Sequence, residues 1–423
     1  MPHSERPFLT GLFNAAVTAA DPKTALSQWL PAKPKGRTVV VGAGKGAAQL
    51  AAAFEDLWEG PLTGVVVTRY GFAAPCQFIK VLEASHPVPD EAGLAASAAL
   101  FDVVRGLGPD DLVVALICGG GSSLLPAPVA GLSLADEIAL NKALLASGAP
   151  ISAMNLIRKQ ISRIKGGQLA HAAAPAKVVS LIVSDVPGDD PAQVASGPTV
   201  ADTSGPAEAL AAIRAYNITL PVKLQKFIER LPQKAPDTEA LVGNEVHIIA
   251  SASKSLEAAA QAAQAQGIRA VILSDAIEGE AREIAKMHAA IAIQIADRDR
   301  PFPVPVVVLS GGETTVTLAS PGGRGGRNTA FLLSFAREIE GRENIYALAA
   351  DTDGIDGSED NAGAFCNGQS CAEMRAAGTD PSEALLGHDA WAAFLAIDAL
   401  FLCGPTGTNV NDFRAVYITS GAT

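Results

Sequence analysis

The sequence is poor in several things, and each shortage excludes a class of protein. Only five cysteines (Cys76, Cys118, Cys366, Cys371 and Cys403) are scattered over 423 residues. That odd set cannot build a disulfide framework, and Cys366 and Cys371 lack the pair spacing of a zinc site. Aromatic residues reach only 5%, so the cores must be aliphatic, made of Ala, Leu and Val. Charged residues stand at 18% beside 48% hydrophobic residues, a balance that excludes a disordered chain. Basic side chains are outnumbered 32 to 44, giving a net charge of -12, which argues against a nucleic-acid partner because a phosphate backbone demands a basic stripe. No apolar run approaches the roughly 20 residues of a membrane span. No apolar segment follows the charged start Met1–Arg6, so no signal peptide is read and a cytoplasmic location is expected.

Glycine is what the chain has in quantity, with 40 residues. The length suggests two domains, each able to bury its own core. Runs of β-rich residues (Thr38–Val41, Gly64–Thr68, Asp111–Cys118, Lys177–Val183) alternate with helical stretches, which implies an α/β fold with a mainly parallel sheet covered on both faces. Ser133-Leu134-Ala135-Asp136 reads as a capping box for a helix that Gly148 stops. Ser152 is expected to cap a helix Ala153–Lys165, with Asn155, Arg158, Ser162 and Lys165 forming a polar stripe beside an apolar one. Pro221–Glu245, rich in Pro, Lys, Glu and Asp, reads as a linker. The domains are therefore placed at 1–235 and 236–423. Beyond the linker the alternation resumes through Val246–Ala250, Arg269–Leu273, Pro303–Leu309, Thr314–Leu318, Ile345–Ala349 and Ala399–Cys403.

The glycines cluster at the carboxyl ends of these strands, the edge where open α/β sheets bind ligands and where free N–H groups meet anions. Gly42-Ala43-Gly44-Lys45-Gly46-Ala47 fits the dinucleotide pattern G-x-G-x-x-G/A, but the second strand ends in Val67-Thr68-Arg69-Tyr70, with no carboxylate for a ribose. Lys45 is better suited to neutralising a phosphate, while Arg69 leaves an NADP-dependent reductase open. Gly119-Gly120-Gly121-Ser122-Ser123 offers backbone N–H groups and two hydroxyls as a phosphate cradle, or is simply a capped turn. Gly322–Asn328 carries Arg324 and Arg327, either gripping an anion bidentately or solvated. Asp351–Gly357 fails the EF-hand register, so its carboxylates, like Asp185 and Asp189, are candidates for Mg2+, for general base, or for Asx turns. His86, in a Pro-bounded loop, is structural or chemical.

Taken in order, these motifs resemble the class II glycerate 2-kinases, the MOFRL family, whose members also bear the older description of hydroxypyruvate reductase. The stretches are VGAGKG (41–46), SHPVPD (85–90), CGGGSS (118–123), NLIRKQISRIKGG (155–167), SDVPGDD (184–190) and ASGPTVAD (195–202). SGGETT (310–315), GGRN (325–328), TDGIDG (352–357) and GPTGTNVND (404–412) complete the series across nearly the whole chain. The resemblance implies a Rossmann-like N-terminal domain, a smaller α/β MOFRL-type C-terminal domain, and an active site in the cleft between them. It implies transfer of the ATP γ-phosphoryl group to the 2-hydroxyl of D-glycerate with Mg2+; the alternative is a hydroxypyruvate reductase using NAD(P)H. By the same resemblance, Lys45, Arg327, Asp353, Asn409 and Asp189 are the catalytic candidates, with Asp353 and Asp189 as metal ligands. Gly44, Gly119, Gly120, Gly121, Ser122 and Ser123 would hold the nucleotide. The stretch Asp356–Asn361 departs from the family's usual DGPTDAA and leaves the metal contacts of that loop open. The residues do not set the oligomeric state, and a homodimer is the assembly to test.

Overall fold

Six strands pair where Val, Ile and Leu runs can be buried on both faces. They are β1 (Thr38–Ala43), β2 (Thr63–Arg69), β3 (Ile79–Ala84), β4 (Leu112–Cys118), β5 (Lys177–Val183) and β6 (Glu245–Ala250). In this computed structural model, which describes residues 5–232, 238–317 and 323–420, their spatial order is β3-β2-β1-β4-β5-β6. The pairings from β3 through β5 are all parallel, with Val41 opposite Val65 on one side and Ala115 on the other. Helices Ala47–Leu57 and Glu91–Val104 are among those that cover the sheet. Inward residues Val39, Val41, Val113, Ala115 and Ile117 share one core with Leu100, Val104 and Leu169. Asp90 begins the second of these helices by accepting the Gly93 N–H at 3.0 Å, and Ser133 with Asp136 forms the expected capping box.

The other sheet is mixed. It uses β7 (Arg269–Ser274), β9 (Val306–Gly312), β11 (Ile345–Asp351), β12 (Gly363–Asn367), β13 (Leu400–Phe401) and β14 (Asp412–Ile418), in the order β13-β12-β11-β14-β9-β7. Short strands β8 (Gly279–Glu280) and β10 (Thr314–Thr315) pair beside it. Strands β7 and β9 are parallel, whereas β14 runs antiparallel to both β9 and β11. The carboxyl ends of β9 and β11 and the start of β14 therefore share one edge.

The chain divides into one compact unit of Pro22–Ile249 and another of Met1–Asp21 with Ala250–Thr423. The expected boundary at 235–236 falls in 233–237, outside the described residues, as do Leu318 and Gly322. The strand expected to open the second domain instead joins the first sheet as β6. The first helix, Glu5–Ala19, packs with the distant C-terminal part because Leu9, Leu12, Phe13 and Ala16 find their apolar partners in Leu256, Ala259 and Ala263. Within the expected linker, Val222–Glu229 is a helix with Leu224 and Ile228 buried.

The helix expected at Ala153–Lys165 runs from Ile151 to Gln160, with Pro150 rather than Ser152 at its start. Tertiary bonds end it early: Arg163 N–H donates to the Ala127 carbonyl at 2.8 Å, and Val129 N–H to that of Ile161 at 3.0 Å. The Lys165 ammonium is drawn inward to Glu137 at 2.6 Å and the Leu125 carbonyl at 3.0 Å. The polar stripe thus faces protein, since Asn155, Ser162 and Lys165 are all buried. Among the described residues no helix is long and apolar enough to cross a membrane, and all five cysteines are free.

Two consequences can be measured. Gly44 has φ +137°, and a Cβ there would lie 2.3 Å from Cys118 Sγ and 2.4 Å from its carbonyl oxygen. Gly44→Ala should lower stability by about 2–4 kcal/mol in urea unfolding, because both the backbone and β4 resist it. His288, in the helix Ala281–Arg298, sits 2.8 Å from the Ile284 carbonyl through Nδ1 and 2.9 Å from Ser310 Oγ through Nε2. Burial, with a lesser push from Arg414, holds it down at about 4. Below its ordinary 6.5 the unfolded chain takes up a proton that the folded chain refuses. Stability should therefore fall as pH drops from 6.5 and the loss should level off near pH 4, at about 3 kcal/mol. The check is the thermal midpoint against pH for wild type and His288→Gln, whose difference should vanish if His288 is not the group.

Candidate active site

In the parallel sheet the chain leaves β1 on one side, builds β2 and β3, and returns to β4 on the other side. The carboxyl ends of β1 and β4 are therefore the switch point at which such sheets open a ligand crevice. Two of the glycine motifs meet there. Lys45 N–H donates to the Gly119 carbonyl at 2.8 Å, and Gly44 N–H to that of Val67 at 3.1 Å. Gly46 N–H reaches Cys118 Sγ at 3.2 Å. The glycines of the dinucleotide pattern are thus spent on close packing against β4. Gly44 in particular faces Cys118, where a dinucleotide fold would bring a pyrophosphate to the backbone.

Around this junction the chain concentrates cations. Lys45 is half-buried, and its ammonium makes no ion pair among the described residues. A Cβ on Gly120, whose φ is +79°, would lie 3.0 Å from both Lys45 Cγ and His86 Nε2, so these side chains flank the loop. Burial, then the charges of Lys45 and Arg69, holds His86 down at about 4 and keeps it neutral. Arg69, at the end of β2, lies over the Phe72 ring at 3.4 Å from its centroid. The sequence offered Arg69 only for an NADP phosphate and left His86 between a structural and a chemical role; here Arg69 ends β2 and His86 follows β3, both beside Lys45.

The loop itself is ordered by its own bonds. Gly121 opens a four-residue helix, Gly121–Leu124, and Asp185 presses its carboxylate against Gly119. Ser123 Oγ donates to the Gly120 carbonyl at 3.2 Å, and Ser122 Oγ lies 2.8 Å from Ser196 Oγ. Ser196 lies in a left-handed run with Ala195 and Gly197, at φ +52°, +62° and +60° in chain order. Asp189 is half-buried and also left-handed, at φ +54°.

The other unit gathers a second polar cluster at the edge formed by β9, β11 and β14. Arg327 opens the helix Arg327–Glu338. Its Nε donates to Asp412 at 2.6 Å and its Nη2 to Asp351 at 2.5 Å, while Nη1 stands 3.9 Å from Glu313. Burial would weaken its charge, but Asp412, Asp351 and Glu313 outweigh burial and hold the guanidinium firmly protonated. Burial pushes the Asp351 carboxyl well up; Arg327 offsets part of this, and the charges of Asp353 and Asp412 add to it. Arg414 is fully buried, paired with Asp412 and 3.1 Å from Thr314 Oγ1. Arg324 instead stacks on Trp391, 4.1 Å from its ring centroid.

Asp353 is half-buried; it donates its N–H to Asp351 at 3.1 Å and accepts from Ile355 N–H at 2.9 Å, an Asx turn. Asn409 makes the same kind of turn, accepting the Asn411 N–H at 3.1 Å. Their loops are stitched together: Thr406 Oγ1 donates to the Thr352 carbonyl at 2.5 Å, and Thr352 Oγ1 to that of Asn411 at 2.7 Å. The structure therefore brings Arg327, Asp353 and Asn409 into one cluster with Asp351, one of the carboxylates the sequence left open, and with Asp412 and Arg414 as members that sequence reasoning did not assign. Asp356 is used up locally, accepting from Asn328 N–H, Thr329 N–H and Thr329 Oγ1 at the helix start.

A metal must fit this donor set. Among the described residues no three His, Cys, Asp or Glu side chains form a cage. Asp351 and Asp412 are engaged by arginine and exposed Glu313 stands at the outer reach of Arg327, which leaves half-buried Asp353 as the carboxylate of this cluster with no arginine partner among the described residues. That suits Mg2+, which takes one or two carboxylates and fills its shell with water and phosphate oxygens.

The comparisons with known proteins agree with this architecture. Residues 8–229 match the domain of unknown function DUF4147, and residues 306–412 match the MOFRL family. A provisionally named hydroxypyruvate reductase of Agrobacterium vitis is 53% identical over 98% of this chain and 95% of its own. The glycerate 2-kinase of Pyrococcus horikoshii is 38% identical over 97% of this chain and 96% of its own. The crystal structure of glycerate kinase from Thermotoga maritima superposes with a TM-score of 0.89 at 35% identity, covering 99% of this chain and all of that one. With its parallel strand order, its two polar clusters and these full-length relatives, the chain belongs to the MOFRL-containing class II glycerate 2-kinase family.

Proposed function

We propose that this protein is an ATP-dependent glycerate 2-kinase that moves the γ-phosphoryl group of ATP to the 2-hydroxyl of D-glycerate, giving 2-phosphoglycerate and ADP. The observation that carries the reading is the Lys45 ammonium at the β1/β4 switch point, without an ion-pair partner among the described residues, beside Arg69 and a neutral His86. Phosphoryl transfer asks a protein chiefly to position its reactants and neutralise charge, and an acidic chain has to gather its cations locally to do so. The reductase reading is weaker because Gly44 faces Cys118 and β2 ends in Arg69 without a ribose-binding carboxylate.

In this reading Lys45 neutralises the carboxylate or the transferring phosphoryl group, and the backbone of Gly44 and Gly119–Gly121 meets the nucleotide phosphates. Arg327, its Nε and Nη2 already engaged, offers Nη1 to an anion. Asp353 orients the 2-hydroxyl or takes its proton as the O–P bond forms, and Asn409 hydrogen-bonds substrate or phosphate. Asp189 is the further carboxylate on the Lys45-bearing unit. Asp353 and Asp189 are the candidate Mg2+ ligands, and the ion would supply positive charge to offset that of the phosphates. The homodimer and the cytoplasmic location belong to the same proposal.

Two measurements test it. Purified protein with D-glycerate, ATP and Mg2+ should form ADP and 2-phosphoglycerate in equal amounts, and should not consume NADH or NADPH with hydroxypyruvate. Oxidation of NAD(P)H without ADP release overturns the kinase. Lys45→Ala should lower kcat/KM more than tenfold, a loss above about 1.4 kcal/mol. A variant that keeps more than a tenth of wild-type kcat/KM removes Lys45 from the centre of the mechanism.

A further inference from the structure

The direction of the protons beneath the glycine loop can be worked out from partners that have no choice. Asn155 is fully buried on the helix Ile151–Gln160. Its Nδ2 donates to the Gln193 main-chain carbonyl at 3.1 Å and to Gln193 Oε1 at 2.9 Å, and a carbonyl can only accept. Its Oδ1 faces Arg158 Nη1 at 3.1 Å, and a guanidinium can only donate. The amide orientation is therefore fixed from both sides.

Ser196 Oγ lies 2.9 Å from that same Asn155 Oδ1. Only a proton from Ser196 makes this contact attractive, because otherwise two acceptors would face each other. A hydroxyl has one proton, so the 2.8 Å contact between Ser122 and Ser196 must be filled by the proton of Ser122. Ser123 has also committed its proton, to the Gly120 carbonyl. The two hydroxyls of the loop, read from the sequence as donors to phosphate, both present lone pairs instead.

The backbone is bent to reach this arrangement. Ala195 and Ser196 are non-glycine residues in the left-handed region, and a Cβ on Gly121 would come within 2.6 Å of Ala195 Cβ. Such strain is kept where surrounding structure enforces it, and here it seats Ser196 against Ser122.

We infer that Ser122 Oγ is a hydrogen-bond acceptor for a hydroxyl group of the bound substrate, with Ser196 and Asn155 as positioning residues that turn its proton away. The inference rests on the kinase reading and deepens it, because a polyol acid and a ribose are the two sources of such a hydroxyl. It also divides labour in the loop: main-chain N–H groups face the anion, and Ser122 reads a neutral donor.

The test is a binding cycle by calorimetry. Wild type, Ser122→Ala and Ser122→Thr are titrated with D-glycerate and D-lactate, which lacks the 3-hydroxyl, and with ATP, 2′-deoxy-ATP and 3′-deoxy-ATP. Ser122→Ala should bind the hydroxyl-bearing partner about fivefold more weakly, as expected for one neutral hydrogen bond, and should lose nothing further when that hydroxyl is absent. Ser122→Thr should bind as wild type does. The ligand whose deletion is non-additive names the source. Ser196→Gly relieves the left-handed backbone while removing the hydroxyl; it should show the same affinity loss, with KM raised more than kcat is lowered. Additive losses for every ligand hydroxyl, or wild-type affinity in Ser196→Gly, would overturn the assignment. Wild-type protein that formed no ADP would overturn the kinase reading instead, and the binding cycle, which needs no turnover, would still decide on Ser122.

Discussion

The carboxylate of Asp412 is the point on which the MOFRL-bearing unit depends. It is buried at the first residue of β14, and it accepts from Arg327 Nε, Asn328 Nδ2, Thr314 N–H, Thr314 Oγ1 and Arg414. These donors come from three stretches: the helix Arg327–Glu338, the strand β10, and β14 itself. A buried carboxylate is tolerable only when paired and hydrogen-bonded, and removing one partner leaves an uncompensated charge. Asp412 therefore fixes where the helix starts and where Arg327 points. Asp356 completes the registration by accepting the N–H groups of Asn328 and Thr329 in the first turn of the same helix. The position of the candidate catalytic arginine follows from charge satisfaction in the interior.

The parallel-sheet unit solves a different problem with backbone. Its switch point is closed by the Lys45 N–H bond to Gly119 and by the tight seat of Gly44 on Cys118. Cys118 is buried and its thiol is pushed up to about 12, chiefly by burial, so it acts there as packing and stays protonated. Lys45 needs no charged partner to be held, because its main chain is anchored on β4. Its ammonium is therefore left for a ligand, which is what a positioned electrostatic group requires. The neighbouring His86 is kept neutral and adds a polar ring without a further charge.

Much of this was legible in the sequence where the signal was local. β1, β2, β4 and β5 stood out as continuous apolar runs, and the glycines at 42–46 and 119–121 marked the strand ends because close backbone approach admits little else. Signals that depend on distant partners were not legible. β12 and β14 are antiparallel insertions whose place comes from pairing with β11, and the helix Glu5–Ala19 joins residues more than 200 positions away. Asn155 and Arg158 read only as part of a polar stripe, because helical periodicity cannot tell water from a buried polar network. The sequence leaves Asp351 open among the candidate carboxylates of 351–357 and gives Asp412 no role, since only the sheet order brings the two to Arg327.

The charge balance of the two clusters explains why their arginine and lysine cannot be read alike. Around Arg327 and Arg414 stand Asp351, Asp353, Asp356, Asp412 and Glu313, so that cluster is acidic despite its guanidinium groups. An anion approaching it meets one exposed edge of Arg327, whose side chain is 24% exposed, with the other donors already spent on carboxylates. Because Nε and Nη2 are anchored, little rotamer entropy remains to be lost when a ligand binds Nη1. Lysine at this position would keep the charge and lose the two-point anchor. The guanidinium is needed here for its shape: one group holds two strand-end carboxylates together and still turns an N–H outward.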